Sequence, residues 1–176
     1  MFARNVGRVN AVLMTHARVP LRLGELARAA NLPRQIASSA LQTLEKRGLV
    51  RRTRVGDHDV FAPDGSSPYY PSAYLAALID LPFASALDPF RPFAAFVYGS
   101  MAAPGQATAQ SDLDLLVVGD FRDKDAVHAA VSTVGTQIGR RVDVFLMTPE
   151  QLEAGRARDD QHVRSALAGV RLFGEV

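Results

Sequence analysis

Ser111-Asp112-Leu113-Asp114-Leu115-Leu116-Val117-Val118 decides how the chain is read. An apolar run of this length, ending in β-branched residues, predicts a buried strand. Strand side chains alternate, so Leu113, Leu115 and Val117 share one face and Asp112, Asp114 and Leu116 the other. Two carboxylates spaced i, i+2 therefore point the same way. An unpartnered carboxylate in such a run costs several kcal/mol or shifts its pKa, so these acids need a cation.

The flanks supply more of the same chemistry. Upstream, Phe93-Ala94-Ala95-Phe96-Val97-Tyr98 predicts a short strand, and Gly99-Ser100 ends it. A glycine there lets backbone approach a phosphate closely, while a serine hydroxyl and exposed N–H groups bind its oxygens. If Ser100 opens a helix, the helix N-terminus adds a potential favourable to anions. Downstream, residues 123–138 predict a helix with Val127, Val131, Val134 and Ile138 inward, and Arg141–Met147 a third strand, interrupted by Asp143. A third acid on a neighbouring strand completes an oxygen cage for divalent metal, which suits metal-assisted phosphoryl or nucleotidyl transfer. Arg140 and Arg141 are the competing explanation, since either can pair with Asp143. Thr148-Pro149-Glu150 starts a helix. Two short helices fill 149–168, and Val170-Arg171-Leu172-Phe173 predicts a last strand.

The front of the chain is of another kind. Residues 1–62 carry eleven Lys/Arg against four acids, a surplus of +7, whereas residues 63–176 carry nine against fourteen, a balance of −5. Such asymmetry implies two modules, the first suited to a polyanion and the second to cations. Helical spacing predicts helices over 5–17, over 23–30 and from Pro33, where Ile36, Ala40, Leu41 and Leu44 form the core stripe of the third. Gly48 ends it, and Leu49–Arg54 and His58–Phe61 alternate as a hairpin across Gly56-Asp57. This is the layout of a winged helix-turn-helix. Arg34, Gln35, Ser38, Ser39 and Gln42 on the third helix would reach base edges, and Arg51, Arg52 and Arg54 on the wing would reach phosphates of double-stranded DNA. The segment resembles the winged-helix domains of small bacterial transcription regulators, most recognisably at Leu44-Glu45-Lys46-Arg47-Gly48-Leu49-Val50.

Ala62–Pro71 is dense in turn formers and reads as a linker, with Tyr69 and Tyr70 anchoring it. The expected organisation is a winged domain over 1–62, a linker over 63–72 and a second domain over 73–176. A helix is expected at about 72–80 with Tyr74, Leu75, Leu78 and Ile79 on its apolar side. Periodicity assigns nothing over 81–92.

Tyr98-Gly99-Ser100, then Asp112-Leu113-Asp114 after eleven residues, then Asp143, resemble the minimal nucleotidyltransferases of the DNA polymerase beta superfamily. With the upstream module, nearly the whole chain resembles bacterial winged-helix–nucleotidyltransferase fusions. The resemblance implies an α+β fold: a winged helix-turn-helix, then a small mixed sheet flanked by helices. It implies that Asp112, Asp114 and Asp143 are the catalytic, metal-holding residues for two Mg²⁺ ions (Mn²⁺ can substitute). Gly99, Ser100 and Ser111 would bind the nucleotide, ATP or another NTP. It implies transfer of NMP, AMP for preference, to a hydroxyl on a protein or small molecule. Relatives often carry Ala-Arg-Gly-Glu soon after Gly-Ser. Here Met101-Ala102-Ala103-Pro104-Gly105-Gln106 offers no arginine and no acid, which weakens triphosphate binding. The alternative is a DNA-binding transcriptional regulator, or an antitoxin-like protein with a toxin partner, whose second domain senses nucleotide or binds a partner.

No cysteine is present, so a disulfide framework and thiolate metal sites are excluded, as suits a cytoplasmic protein. The N-terminus lacks the apolar segment of a signal peptide, and no apolar stretch is expected to span a membrane. His16, His58, His128 and His162 show no metal-ligand spacing and read as surface or packing residues, with His58 placed to touch DNA through the wing. Asp159-Asp160 reads as a helix-start charge pair. Paired half-sites suit helix-turn-helix proteins, so a homodimer is compatible with the first module.

Overall fold

The computed structural model describes residues 2–17 and 19–175. Its contacts divide the chain into two compact units: Met1–Leu81 with Gln137–Gly139, and Pro82–Thr136 with Arg140–Val176.

In the first unit, α1 (Phe2–Thr15) is followed by β1 (Leu21–Arg22), α2 (Leu23–Ala29), α3 (Arg34–Lys46), β2 (Val50–Val55), β3 (His58–Pro63) and α4 (Tyr70–Ile79). The apolar stripes of α1, α3 and α4 bury Val9, Leu13, Ala37, Leu41, Tyr74 and Leu78 in one core. The strands form an antiparallel sheet in the order β1-β3-β2, with Arg52 opposite Phe61 and Arg54 opposite Asp59. Gly56, at φ +56°, makes the turn between β2 and β3. The two-residue strand β1 is too short to announce itself in the sequence, and it completes the sheet.

Several expectations shift here. Ile36 is 37% exposed and Ala37 takes its place in the core stripe, because the buried face of α3 lies one residue further round. Leu75 and Ile79 are exposed, while Ala77 joins Tyr74 and Leu78 inside. Tyr70 packs against Tyr74 with ring centroids 5.9 Å apart, but Tyr69 is exposed and anchors nothing. The helix α4 belongs with α1, to which Asn10 Nδ2 ties it by donating to the Ala73 carbonyl at 2.9 Å. The units therefore part at Leu81–Pro82, after α4, and not at 63–72.

Tyr70–Phe90 is the one weak candidate for a membrane span among the described residues. Its best window has a mean hydropathy of 1.2, long and apolar enough by composition to cross a membrane. It folds, however, as α4 and then α5 (Phe83–Leu87), broken at Asp80-Leu81-Pro82. Proline lacks the N–H a continuous helix needs there.

The second unit is built on a four-stranded sheet in the order β6-β5-β4-β7: β4 (Ala94–Tyr98), β5 (Leu113–Val118), β6 (Val142–Met147) and β7 (Val170–Gly174). β4 runs antiparallel to β5 and β7, whereas β5 and β6 are parallel and joined through α6 (Lys124–Ile138). A parallel pair needs such a crossover. Gly135 brings α6 against Val142, on the sheet face that carries Leu113. The other face is covered by α7 (Pro149–Ala157) and α8 (Gln161–Leu167): Leu152, Val163 and Ala166 pack on Ala94, Phe96, Leu116 and Val118. Thr148 caps α7 by accepting from Gln151 N, and Asp160 caps α8 by accepting from His162 N and Val163 N. After β4 a single 3₁₀ turn, Gly99–Ala102, stands where a helix was expected, too short to gather a helix dipole.

Candidate functional site

In the first unit, α3 presents Arg34, Gln35, Ser38, Ser39 and Gln42 outside its buried stripe of Ala37, Ala40, Leu41 and Leu44. Arg34, Ser38 and Gln42, at i, i+4 and i+8, line a groove of about 760 Å³ between that helix and the β2–β3 hairpin. Arg52, Arg54 and His58 line its other wall. Gln35 and Ser39 lie beside the groove, where Ser39 Oγ donates to the Gln35 carbonyl at 3.2 Å. Arg22 and Arg28, which the sequence reading passed over, also line it. Their signal was available: two more cations, one just before the short helix α2 and one in its last turn.

The wing arginines do not act as one group. Alternation sets Arg52 and Arg54 on the groove face and Arg51 on the opposite one. Arg52 and Arg54 both donate to Asp59, the latter at 3.4 Å, and the Arg52 guanidinium lies 6.0 Å from the Phe61 ring centre. Hydrogen bonding from Arg52 holds the Asp59 carboxyl below its ordinary value. Arg51 instead donates to Asp64 at 2.7 Å. Asp64, which first accepts from the Ser66 hydroxyl and then from Arg51, is pulled down to about 2. One step of strand alternation thus sets Arg51 apart from Arg52 and Arg54, on the face away from the groove.

In the second unit, the register places Tyr98, Asp114 and Asp143 side by side across β4, β5 and β6. Asp112 stands one residue before β5 on the same face as Asp114. Arg141 stands two residues before Asp143 and therefore shares its face too. One nitrogen of Arg141, Nη2, donates to Asp112 Oδ2 at 2.5 Å and to Asp143 Oδ2 at 3.0 Å. Arg140 faces the other way and donates from Nη1 to the carbonyls of Thr108 and Ser111, at 2.8 and 2.6 Å. Asp114 makes no ion pair among the described residues. Burial, then the neighbouring Asp143 and Asp112 carboxylates, push its pKa up. The Arg141 hydrogen bond pushes that of Asp112 down.

Gly99 sits where the Asp114 carboxylate needs room. A Cβ at position 99 would overlap that carboxylate, and the backbone there has φ +67°. Ser100 is in the same turn. Ser111 lies apart from the acids: its Oγ accepts from Thr108 N at 2.9 Å and closes the 108–111 turn. A cavity of about 330 Å³ beside Asp114 and Asp143 is lined by Tyr98, Val144, Phe145 and His162. Burial, then Asp114 and Asp143, raise the Tyr98 phenol above its ordinary value. Spacing offered no hint of His162, which α8 brings over the sheet, but Phe145 sits two residues beyond Asp143 on the same face of β6 and was passed over.

The donor set is all carboxylate oxygen, the chemistry of Mg²⁺ or Mn²⁺. Among the described residues no three carboxylate or imidazole side chains stand ready around one ion. Arg141 engages both Asp112 and Asp143, and Asp114 stands beside them on the same face.

Residues 11–59 match the model of the MarR family, so the first unit carries a winged helix-turn-helix domain of that kind. The match covers the front of the chain alone. Comparison with curated proteins finds no match, and neither does comparison with solved structures.

Proposed function

We propose that the chain is a DNA-binding transcriptional regulator. The observation that carries this is the MarR-type match over residues 11–59, on the segment that forms the groove between α3 and the wing, lined by five arginines and four acids. Arg34, Gln35, Ser38, Ser39 and Gln42 meet base edges in the major groove, and Arg52 and Arg54 meet phosphates. A duplex read by paired half-sites calls for a homodimer. The second unit then senses a nucleotide or holds a protein partner, such as a toxin. Fluorescence anisotropy with duplex fragments at several salt concentrations tests the reading. Binding that falls steeply with salt and is lost in Arg34→Ala with Gln42→Ala supports it, and salt-independent or absent binding ends it.

A second reading is favoured by one observation, the juxtaposition of Asp114 with Asp143 beside the Gly99 turn. Here the second unit is a nucleotidyltransferase-type domain of the polymerase beta superfamily. Asp112, Asp114 and Asp143 hold Mg²⁺, and Gly99 and Ser100 take phosphate oxygens of ATP or another NTP. When bound, the metal supplies charge neutralisation at the triphosphate and a more acidic acceptor hydroxyl. The chain's part is positioning for in-line attack of a protein or small-molecule hydroxyl on the α-phosphate, which transfers NMP as pyrophosphate leaves. Incubation with α-labelled ATP, Mg²⁺ and cell lysate tests it. Label transfer lost in Asp112→Ala with Asp114→Ala supports the enzyme, and no transfer by the wild-type chain leaves the regulator alone.

A further inference from the structure

The Arg141 bridge has the form of a metal bridge. A single nitrogen lies between oxygens of two different carboxylates, at 2.5 and 3.0 Å, as one ion would lie between two ligands. Its guanidinium is held loosely. The Arg141 side chain is 68% exposed, and those of Asp112 and Asp143 are 36% and 50% exposed. Exposed pairs of this kind are worth little and reorganise easily. Arg141 rises from the strand that carries Asp143, on the same face, so it can swing to solvent without any change in backbone. Arg140, engaged with the Thr108 and Ser111 carbonyls, is not placed to do the same.

We propose that Arg141 is the resident cation of the carboxylate site, competes there with divalent metal, and so sets how readily the site loads. This rests on the second reading above, in which the three acids are metal ligands. With Arg141 in place Asp112 and Asp143 share its single positive charge, and Asp114 has no ion-pair partner among the described residues. With Arg141 swung out the three carboxylates face one another and require a cation of higher charge. A divalent ion entering beside the guanidinium pays the repulsion of a nearby positive charge. At about 5 Å in a watery surround that repulsion corresponds to roughly tenfold in affinity, and it weakens with added salt.

The experiment is Mn²⁺ binding to the full chain, followed by electron paramagnetic resonance of the free ion and by calorimetry. Neither depends on catalysis. Arg141→Gln is expected to bind Mn²⁺ about tenfold more tightly than wild type at low salt, with the gap narrowing as salt rises. Arg171→Gln, which removes the same charge from β7, controls for net charge and is expected to leave the affinity near that of wild type. Asp112→Asn with Asp143→Asn is expected to lose the site. Equal Mn²⁺ affinity in Arg141→Gln and wild type overturns the role of Arg141 and spares the metal site. Absence of Mn²⁺ binding in both overturns the role and the metal reading together. An equal gain in Arg171→Gln also overturns the role, since general electrostatics would then be the cause.

Discussion

In the wing two guanidinium groups, Arg52 and Arg54, share one carboxylate, Asp59. On the sheet of the second unit one guanidinium, Arg141, shares two carboxylates, Asp112 and Asp143, with Asp114 beside them. The motif is the same and its stoichiometry is reversed. What remains after internal pairing is positive in the first case and negative in the second. The surplus, more than the number of ion pairs, says what kind of ligand each surface still lacks: a polyanion at the wing and cations at the sheet. It also explains how a chain of net charge +2 can carry two clusters of opposite surplus.

The comparison breaks most visibly at the wing. Arg52→Ala with Arg54→Ala is expected to lower duplex affinity about a hundredfold and to flatten the salt dependence by about two units of slope. Arg51→Ala, on the other face and held by Asp64, is expected to leave both nearly unchanged. Equal losses in anisotropy titrations of the two would mean that the face assignment is wrong. At the sheet, Gly99→Ala is expected to destabilise the second unit by about 2 kcal/mol, through a strained backbone and overlap with the Asp114 carboxylate. Denaturant melts of the single variants and of Gly99→Ala with Asp114→Gly check it. The double variant should recover the overlap and retain the backbone strain.

Smaller effects sharpen the contrast. Asp59→Asn frees the wing arginines and is expected to tighten duplex binding about threefold at low salt, since an exposed pair holds them only weakly. No tightening would make Asp59 a support for the arginines instead of a competitor. Asp114→Asn should raise Tm by about 2 °C at neutral pH, because it removes a carboxylate that the fold prefers protonated. An acid whose folded pKa lies above its unfolded one destabilises fully above the folded value and not at all below the unfolded one. The gain should therefore fade as pH falls through the ordinary carboxylate range, and a gain that persisted in acid would assign it to another cause.

Much of the fold was legible because its signals are local. Alternation marks β5 and β6, the Thr148-Pro149 start marks α7, and Gly56-Asp57 marks the wing turn. The meeting of Asp114 and Asp143 was legible in outline, since two strands interrupted by acids are joined by one amphipathic helix. The choice between Arg140 and Arg141 was also within reach: alternation sets Arg141 on the face of Asp143 and Arg140 on the other. The same step separates Arg51 from Arg52. Ile36 misled because its bulk outweighs the alanine beside it in any hydropathy reading, although the burial stripe of α3 runs through Ala37. Pro- and Gly-rich residues 63–72 mark a break in secondary structure, whereas a unit boundary depends on packing, and α4 packs backwards onto α1. His162 stood outside any local pattern, because α8 returns it across the sheet, whereas Phe145, two residues after Asp143 in β6, was within reach of the same alternation.

The fit of the Asp114 carboxylate into the space left by Gly99 turns two positions into one unit of inheritance. A larger residue at 99 in any descendant of this chain has to turn the Asp114 carboxylate aside and hold a left-handed backbone, so changes at 99 and 114 are expected to travel together. A sequence that keeps the aspartate while losing the glycine is therefore expected to show either that carboxylate turned away or a reshaped loop after β4.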